Sequence, residues 1–551
     1  MAGAGVAVSV AAFVVLVTLW APGLPSSISG FGSGAPGSPR GGVHLGPLAP
    51  PTAPSSNGAS TTTDQNVTQN SSGGVGNGSG AGAGGSNSSG NGSGSGSNGS
   101  NGSGSNGSGG NGSGSNGSGS HRTYRGINGS LSLGSAVATV TPSFFQLVLQ
   151  TPNLTSPTLW RQLNATPFTY FQFTGSGEIT DQVLGIAYGD NGSALAPTKS
   201  NDSNFVAFCR VMHCHAIFGV PAEINDTEIA VGTVRYVEEV LGFHPDYWMI
   251  GGEPQGWTHF NIPWTQWKVT DHSTVTPLVY ARELQQYVIA LRAYDPSIRL
   301  IGLQSADGGS WFDSPWLDQV AAIDGPNLTA LTIHPYPGGM GVPNPSVSDF
   351  YSSLANATKF PYNYQGLLAH QDAACGCSLP LWVGEYNSAL GGNYSSFMTS
   401  YPEVPYIAAA TAGALKAGVP VATYFSYSHG ALSLVDANSR PLPIYSLFST
   451  FFKNLTLGEV FNTSLVGGPH GVYTVATSDG SRTSVLIVNT NVTQGLNLTL
   501  PGVGDAFLPG AWQAWAWDPT ELAPTVARGG PYSPSNWSIP PQGILLLNAG
   551  G

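Results

Sequence analysis

The chain has 551 residues, a formal net charge of −12 and only 8% charged side chains. Its length allows two or more domains, and its 29 acidic against 17 basic residues argue against nucleic-acid binding, which needs a basic surface. So few carboxylates also limit the charge that builds up on protonation, which suggests adaptation to acid.

The first segment, residues 1–24, contains no charged side chain. Its apolar run is long enough for the hydrophobic part of a signal peptide and marginal for a membrane span. We therefore expect an extracellular protein. A cleaved signal peptide and a retained membrane anchor that tethers the chain to the cell surface both remain open.

Residues 25–122 form a low-complexity tract rich in Gly, Ser and Asn, which cannot build a core. Its Asn-Gly-Ser repeats are also N-glycosylation sequons, although such a repeat generates sequons by chance. Further sequons at Asn128, Asn153, Asn454, Asn491 and Asn536 lie outside the tract and favour an exported glycoprotein. We expect a disordered linker here.

Strand-like and helix-like segments alternate from Ser143 onward. The segments predicted as helices include residues 227–241, which follow the N-cap residue Asp226, and residues 277–292 and 406–417. An eightfold alternation predicts a (β/α)₈ barrel over residues 143–440. A doubly wound open sheet is the alternative, but no Gly-rich phosphate loop follows the first strand. The predicted barrel strands are residues 144–149, 169–175, 214–221, 247–252, 298–304, 328–334, 381–385 and 421–427.

Short strands separated by turn signals follow in residues 441–551, with a hairpin turn at Asp479-Gly480. The pattern predicts a β-sandwich domain, and strands within residues 123–142 would join it from the amino-terminal side. The predicted strands are residues 472–477, 485–489, 496–500, 512–517 and 544–547, with 131–140 as the additional strand.

Two glutamates follow apolar runs that are typical of buried parallel strands. Glu253 ends the fourth predicted barrel strand and Glu385 ends the seventh. Barrel active sites lie at the carboxyl ends of the strands, so the two carboxylates would face one another across the barrel mouth. Paired carboxylates of this kind hydrolyse glycosidic bonds, with Glu253 as the acid/base and Glu385 as the nucleophile.

Other polar and aromatic residues stand near these strand ends. Tyr336 could donate a hydrogen bond that keeps the nucleophile ionised, and His334 precedes it on the sixth strand, although a His-Pro-Tyr segment also packs as core. Backbone N–H groups of Gly391 and Gly392 could contact a sugar, or belong to an ordinary loop. Trp257, Trp264, Trp267 and Trp311 could line a sugar platform, whereas Trp248 should be core.

The four cysteines allow three disulfide connectivities in an exported chain. Cys209, His213, Cys214 and His215 could be read as metal ligands, but their spacing fits no common zinc site. Buried thiols or structural disulfides are the simpler interpretation.

Seven segments share a pattern with one known family: residues 140–145, 165–175 followed by Asp181, 217–219, 382–392, 434–436, 441–445 and 452–455. Together they resemble glycoside hydrolase family 79, the heparanase and β-glucuronidase family of clan A. The resemblance implies a retaining mechanism with Glu253 as acid/base and Glu385 as nucleophile. It also implies sugar contacts by Asp181, Gly391, Gly392 and Gly430, with the Gly430 backbone holding a uronate carboxylate.

Three positions depart from that family pattern. Gly252 replaces an Asn that contacts the sugar 2-hydroxyl, Gln172 stands where Arg is common, and Leu432 replaces a Tyr that contacts the substrate carboxylate. From the two glutamates and the family resemblance, we expect a retaining β-glycosidase that acts on a β-glucuronide or related glycan, without cofactor or metal. A neutral-sugar exo-glycosidase of clan A and a non-catalytic glycan-binding surface protein are the alternatives.

Overall fold

The computed structural model describes residues 126–149, 154–173, 196–220, 222, 226–254, 276–306, 314–356, 358–428, 430–500, 512–528 and 537–549. The segments predicted as signal or anchor and as linker lie outside these ranges. All described residues belong to one compact unit, Ser120–Gly551. Within them, no helix combines the length and apolar character that crossing a membrane requires.

Eight parallel strands close into a barrel, which confirms the predicted (β/α)₈ fold and excludes the open sheet. The last strand pairs with the first through Phe145↔Ala422 and Gln146↔Thr423. The barrel strands are β2 (Phe145–Val148), β3 (Tyr170–Phe173), β4 (His215–Val220), β5 (Tyr247–Ile250), β6 (Leu300–Ala306), β7 (Ala330–His334), β8 (Leu381–Tyr386) and β9 (Ala422–Tyr424), and β1 (Ile127–Thr139) precedes them.

Two helices of the barrel begin at residues whose side chains cap the helix by accepting a free backbone N–H. Asp226 accepts the backbone N–H of Glu228, and the Thr276 side chain accepts that of Val279. The principal helices are Pro157–Asn164, Ala196–Met212, Thr227–Arg235, Pro277–Tyr294, Ser314–Asp324, Val347–Ser352, Tyr364–Cys375 and Glu403–Lys416, with the shorter Ser395–Met398 and Pro443–Ser446.

One helix starts earlier than the sequence pattern predicts, at Glu403 rather than at Tyr406. Pro405 lies in its first turn, where a missing N–H costs no helical hydrogen bond. The proline therefore lies inside the helix instead of preceding it, and Glu403 becomes part of the buried first turn.

The amino-terminal end of the barrel is filled by side chains. One buried cluster inside it comprises Ile217, Met249, Ile301, Ala330, Trp382 and Val421. The edge of the Trp382 ring contacts Tyr247 with the ring centroids 4.9 Å apart. Since side chains of the described residues fill this end, the carboxyl ends of the strands are where a substrate is expected to approach.

The β-rich region forms one mostly antiparallel nine-stranded sheet, in the order β15-β14-β17-β12-β11-β10-β1-β13-β16. It is a single hydrogen-bonded sheet rather than two separate ones, because β1 pairs with β10 on one side and with β13 on the other. Its further strands are β10 (Glu459–Gly467), β11 (Val472–Ser478), β12 (Thr483–Asn489), β13 (Leu496–Thr499), β14 (Gln513–Trp517), β15 (Thr525–Arg528), β16 (Trp537–Ile539) and β17 (Ile544–Ala549).

Alternating residues give this sheet two buried faces. Val485 and Ile487 pack in a core inside the domain, whereas Leu486 and Val488 join the main core that includes the barrel. Tyr401 ties the two regions together, because its hydroxyl donates to the carbonyls of Trp517 and Gln542 at 3.0 and 2.9 Å.

The four cysteines form two local disulfides, Cys209–Cys214 and Cys375–Cys377. Each joins a helix to the chain that leads into the next barrel strand. The interpretation of Cys209 and Cys214 as metal ligands is therefore wrong, because both thiols are used in one bond.

Candidate active site

Glu253 lies just beyond the carboxyl end of β5, in a tight reversal of the chain. Gly251 and Glu253 both have a left-handed backbone, with φ of 62° and 49°. This conformation is uncommon for a residue with a side chain and is typical of functional sites. The side chain of Glu253 is 27% exposed, so its carboxyl can exchange protons with solvent.

Glu385 lies in β8 and is almost fully buried, with a 5% exposed side chain. The pairing of β8 with β9 shifts register between Val383 and Tyr386, and such irregularities redirect side chains next to active sites. Gly384 is required beside it, because a Cβ there would lie 2.9 Å from Thr332 Cβ and 3.1 Å from His334 Nε2.

His334 and Tyr336 connect the two glutamates. His334 Nδ1 lies 2.9 Å from Glu253 Oε1 and 3.5 Å from Glu385 Oε2. The Tyr336 hydroxyl donates to Glu385 Oε2 at 2.8 Å. The atoms of Glu253, His334 and Glu385 that face one another all lie within 4.8 Å. The fourth, sixth and seventh barrel strands thus bring together four residues that the sequence singled out.

The electrostatics of the site centre on Glu385. Burial raises the pKa of Glu385 to about 7, and the charge of Glu253 adds to that effect. His334 and the hydrogen bond from Tyr336 act in the opposite direction. Burial is the largest of these effects, so the ionised form of Glu385 is the form that this site disfavours.

Replacement of Tyr336 by Phe should lower kcat by about 10- to 100-fold, the value of one hydrogen bond to a charged group. Since that bond lowers the pKa of Glu385, its loss should raise this pKa and move the acidic limb of the kcat/KM profile to higher pH. Steady-state kinetics from pH 4 to 9 would measure both effects. A profile identical to that of the wild type would exclude this role for Tyr336.

Stability should also depend on buried carboxyls. Burial raises the pKa of Asp324 to about 7 and that of Glu403 to about 8, alongside Glu385. A carboxyl whose pKa is raised on folding contributes stability that is complete below its unfolded pKa and is lost as the pH rises through the folded value.

We therefore expect the Tm to fall by about 5–10 °C between pH 5 and pH 8. Differential scanning calorimetry across this range would measure the fall, and Asp324→Asn should remove part of it. A Tm that stays level or rises would contradict the expected burial of these groups.

The paired glycines lie in a loop that packs against the loop after β7. Leu390 N–H donates to Gly339 O at 2.9 Å, and Asn393 N–H donates to Met340 O at 3.0 Å. A Cβ on Gly392, whose φ is 59°, would lie 2.5 Å from Met340 O. A close approach of two loops therefore explains Gly392, and a sugar contact by Gly391 and Gly392 stays a prediction.

The remaining candidates are placed as follows. Gly430 has a left-handed backbone with open space where a Cβ would be, and Leu432 beside it is buried. Trp248 is core, as expected, and packs against Phe218. Asp181 and the predicted platform residues Trp257, Trp264, Trp267 and Trp311 lie outside the described residues.

Asn387 and Ser388, which follow the carboxyl end of β8, were not among the predicted site residues. Asn387 donates to the Phe425 carbonyl at 2.6 Å, and Ser388 donates to Glu403 at 2.6 Å. The Phe425 ring faces Tyr336 with centroids 6.4 Å apart. The only signal for them in the sequence is their position directly after Glu385 or at the end of β9.

Gln172 faces the barrel interior, because its neighbours Phe171 and Phe173 pack outward on Phe208 and Phe205. It is 2% exposed, and its Nε2 has no hydrogen-bond partner among the described residues. An amide therefore occupies the barrel interior at the position where the family resemblance predicts an Arg.

Glu253, His334 and Glu385 also have the composition of a metal site. However, His334 Nδ1 and Glu253 Oε1 are at hydrogen-bond distance, and that bond would have to break for both atoms to bind an ion. We expect dialysis against EDTA to leave any hydrolytic activity within about twofold of its starting value. Loss of activity that Zn²⁺ or Mn²⁺ restores would instead identify a metal centre.

No protein-family model and no curated protein matches the sequence. Among solved structures, a family 51 α-L-arabinofuranosidase from Bifidobacterium longum superimposes with a TM-score of 0.58 at 14% identity, over 77% of this chain and 99% of that one. A bifunctional glucanase-xylanase from a metagenome library gives 0.56 at 12% identity, over 77% and 99%. A monomeric β-xylosidase from Caulobacter crescentus gives 0.52 at 14% identity, over 77% and 99%.

These likenesses show the fold, a (β/α)₈ barrel with an attached sheet domain. The three neighbours are named as glycoside-cleaving enzymes, and at 12–14% identity the likeness to them is one of fold alone. The barrel and its attached sheet are the fold that the family resemblance implies. Membership of family 79 stays a proposal.

Proposed function

We propose that this chain is a retaining β-glycoside hydrolase that acts by double displacement. The observation that carries the proposal is the approach of Glu253 and Glu385 oxygens to within 4.8 Å across the barrel mouth. Retaining enzymes hold their two carboxyl groups about 5–5.5 Å apart, whereas inverting enzymes need about 6.5–9.5 Å to admit a water.

The exposures of the two carboxyls support different roles for them. Glu385, buried and aimed by the Tyr336 hydroxyl, is suited to attack the anomeric carbon, forming a C–O bond as the glycosidic bond breaks. Glu253, partly exposed, is suited to protonate the leaving oxygen. It then accepts a proton from the water that cleaves the glycosyl–Glu385 ester, and the product keeps its anomeric configuration.

His334 is suited to reduce the repulsion between the carboxylates of Glu253 and Glu385. Its Nδ1 can donate to Glu253 or approach Glu385 without leaving its buried position. Its charge lowers the pKa of Glu385, which favours the ionised form that the nucleophile needs.

A β-glucuronide or related glycan is the leading substrate. The resemblance assigns a uronate contact to the backbone near Gly430, which has a left-handed conformation next to open space. The uncharged apolar first segment and the sequons outside the linker support an extracellular location, with a tether through that first segment as one option.

Neutral sugars are the second candidate, favoured by two departures from the family pattern. Leu432 is apolar and buried where a carboxylate-binding Tyr is expected, and Gln172 is an uncharged amide where Arg is common. The solved neighbours include a β-xylosidase and an α-L-arabinofuranosidase. A glycan-binding protein without turnover is the third candidate, since Gly252 supplies no side chain to a sugar 2-hydroxyl.

Hydrolysis of 4-nitrophenyl β-glucuronide, β-xyloside and β-glucoside by the full chain would separate these candidates, with Glu385→Gln as the control. Turnover of the glucuronide that disappears in the variant would support both mechanism and uronate preference. Turnover of a neutral glycoside alone would keep the mechanism and refute the uronate. Binding of glycans without any turnover would favour the third candidate.

A further inference from the structure

A second buried glutamate, Glu403, begins the helix Glu403–Lys416 and contacts Ser388, which follows Glu385 by three residues. It is 0% exposed, and the Ser388 hydroxyl donates to its Oε2 at 2.6 Å. Its Oε1 is buried without a hydrogen-bond partner in the described part of the chain. A buried carboxyl without a paired cation is costly, so its position calls for a physical explanation.

The groups that face Glu403 are tyrosines from four elements. Tyr351, Tyr386, Tyr406 and Tyr424 all interact electrostatically with its carboxyl, and burial raises the pKa of each of them. Their hydroxyls therefore stay neutral over the accessible range of pH. Within the described ranges no Lys, Arg or His forms an ion pair with Glu403, so nothing compensates its charge when it ionises.

Ser388 links Glu403 to the catalytic residues. Ser388 is the third residue after Glu385, and its carbonyl accepts the N–H of Gly338 at 2.8 Å. Gly338 is the second residue after Tyr336, so Ser388 lies between the chain segments that carry both partners of the Tyr336–Glu385 hydrogen bond. A displacement of Ser388 would move both partners.

Space around this contact is restricted. A Cβ on Gly338 would lie 2.8 Å from Ser388 O and 3.0 Å from Ala389 Cβ. On the other side, Asn387 is fixed by its bond to the Phe425 carbonyl. Ser388 therefore has one well-packed position, and the Glu403 carboxyl is the acceptor for its hydroxyl.

We propose that Glu403 and Ser388 form a buried positioning pair, in which the Glu403 carboxyl holds Ser388 and thereby fixes the Tyr336–Glu385 hydrogen bond. This inference rests on the proposed glycosidase function. Glu403 touches no substrate and acts only through Ser388. The neutral form of Glu403 is the working form, because no cation among the described residues would compensate a charge on this buried carboxyl beside Ser388.

The test compares kcat per active site, counted by titration with a mechanism-based inactivator, for five variants of the full chain. Ser388→Ala and Glu403→Leu remove the contact, and each should lower kcat about tenfold with KM within about twofold, because misplacement impairs the chemical step. The double variant should be no slower than either single variant. The fourth and fifth variants are Glu403→Gln and the control Asp324→Leu.

Glu403→Gln keeps an oxygen for Ser388 but cannot ionise. It should stay within about threefold of wild-type kcat at pH 5 and lose the decline that the wild type shows as the pH rises through about 8. Asp324→Leu is the matched control, since Asp324 is an equally buried carboxyl near the amino end of β7, opposite the site. It should alter stability and leave kcat per active site unchanged.

Wild-type kcat per active site in Ser388→Ala and Glu403→Leu, or an equal loss in Asp324→Leu, would overturn the pair. A wild type without turnover would refute the proposed function instead. In that case ¹³C NMR of protein labelled at its glutamates would test the positioning role of Glu403 and Ser388. The Glu385 carboxyl signal would be assigned as the one that is missing in Glu385→Gln. Ser388→Ala should raise the apparent pKa of Glu385 by weakening its bond to Tyr336, and an unchanged titration would refute the pair.

Discussion

Replacement of Glu385 by Gln should abolish turnover, with kcat/KM reduced by about 10⁴-fold or more, as expected when an enzyme loses its nucleophile. The amide has the same shape and can still accept the hydrogen bond from Tyr336, so the site should keep its geometry. What disappears is the charged oxygen that forms the bond to the anomeric carbon. Kinetics with the best 4-nitrophenyl glycoside would measure the loss.

The stability of this variant serves as its internal control. Burial disfavours the ionised carboxyl of Glu385, so an uncharged amide there should leave the Tm at pH 7 equal to or above that of the wild type. An inactive variant that also unfolds would leave the role of Glu385 to be decided by the milder change to Asp, which keeps the charge but shortens the side chain. Substantial activity in a folded Gln variant would refute the assignment.

Replacement of Glu253 by Gln should lower kcat/KM by about 10²- to 10⁴-fold for alkyl glycosides, the usual contribution of a general acid. For a 4-nitrophenyl glycoside the loss in the first step should be smaller, because nitrophenolate leaves without prior protonation. The second step should then become rate-limiting, since no base activates the water. Pre-steady-state kinetics would show this as a burst of nitrophenolate.

Azide distinguishes this role from simple structural damage. It needs no deprotonation to attack the glycosyl–enzyme ester, so it should restore turnover in Glu253→Gln and yield a β-glycosyl azide. Glu459→Gln, an exposed carboxylate on β10, is the matched control and should behave as the wild type. Equal losses for alkyl and nitrophenyl glycosides, without rescue by azide, would contradict an acid/base role for Glu253.

The sequence was informative where local signals and tertiary structure agree. Each barrel strand is a short apolar run between turn signals, and parallel pairing buries both of its faces. A glutamate directly after such a run must lie at the carboxyl edge of the barrel, so Glu253 and Glu385 could be placed without any knowledge of distances. His334 and Tyr336 could be found by the same rule.

Long-range packing decided what the sequence could not show. In strand β10 the polar run Asn462-Thr463-Ser464 separates two apolar pairs, and the strand is paired with β1, more than 300 residues away in the sequence. The acceptor for Ser388 begins a distant helix and the acceptor for Asn387 directly follows β9, and no local pattern reveals either contact. The predicted start of this helix, Tyr406, was wrong by three residues, because proline is common both just before a helix and in its first turn.

Trapping the covalent intermediate is the measurement that tests this account most directly. The full chain would be incubated with 2-deoxy-2-fluoro-β-glycosyl fluorides of glucuronic acid, xylose and glucose, and its peptides analysed by mass spectrometry. We expect one fluoroglycosyl adduct per active site, located on Glu385. An adduct on Glu253, or hydrolysis of a β-glycoside to the α-anomer without any adduct, would contradict the account.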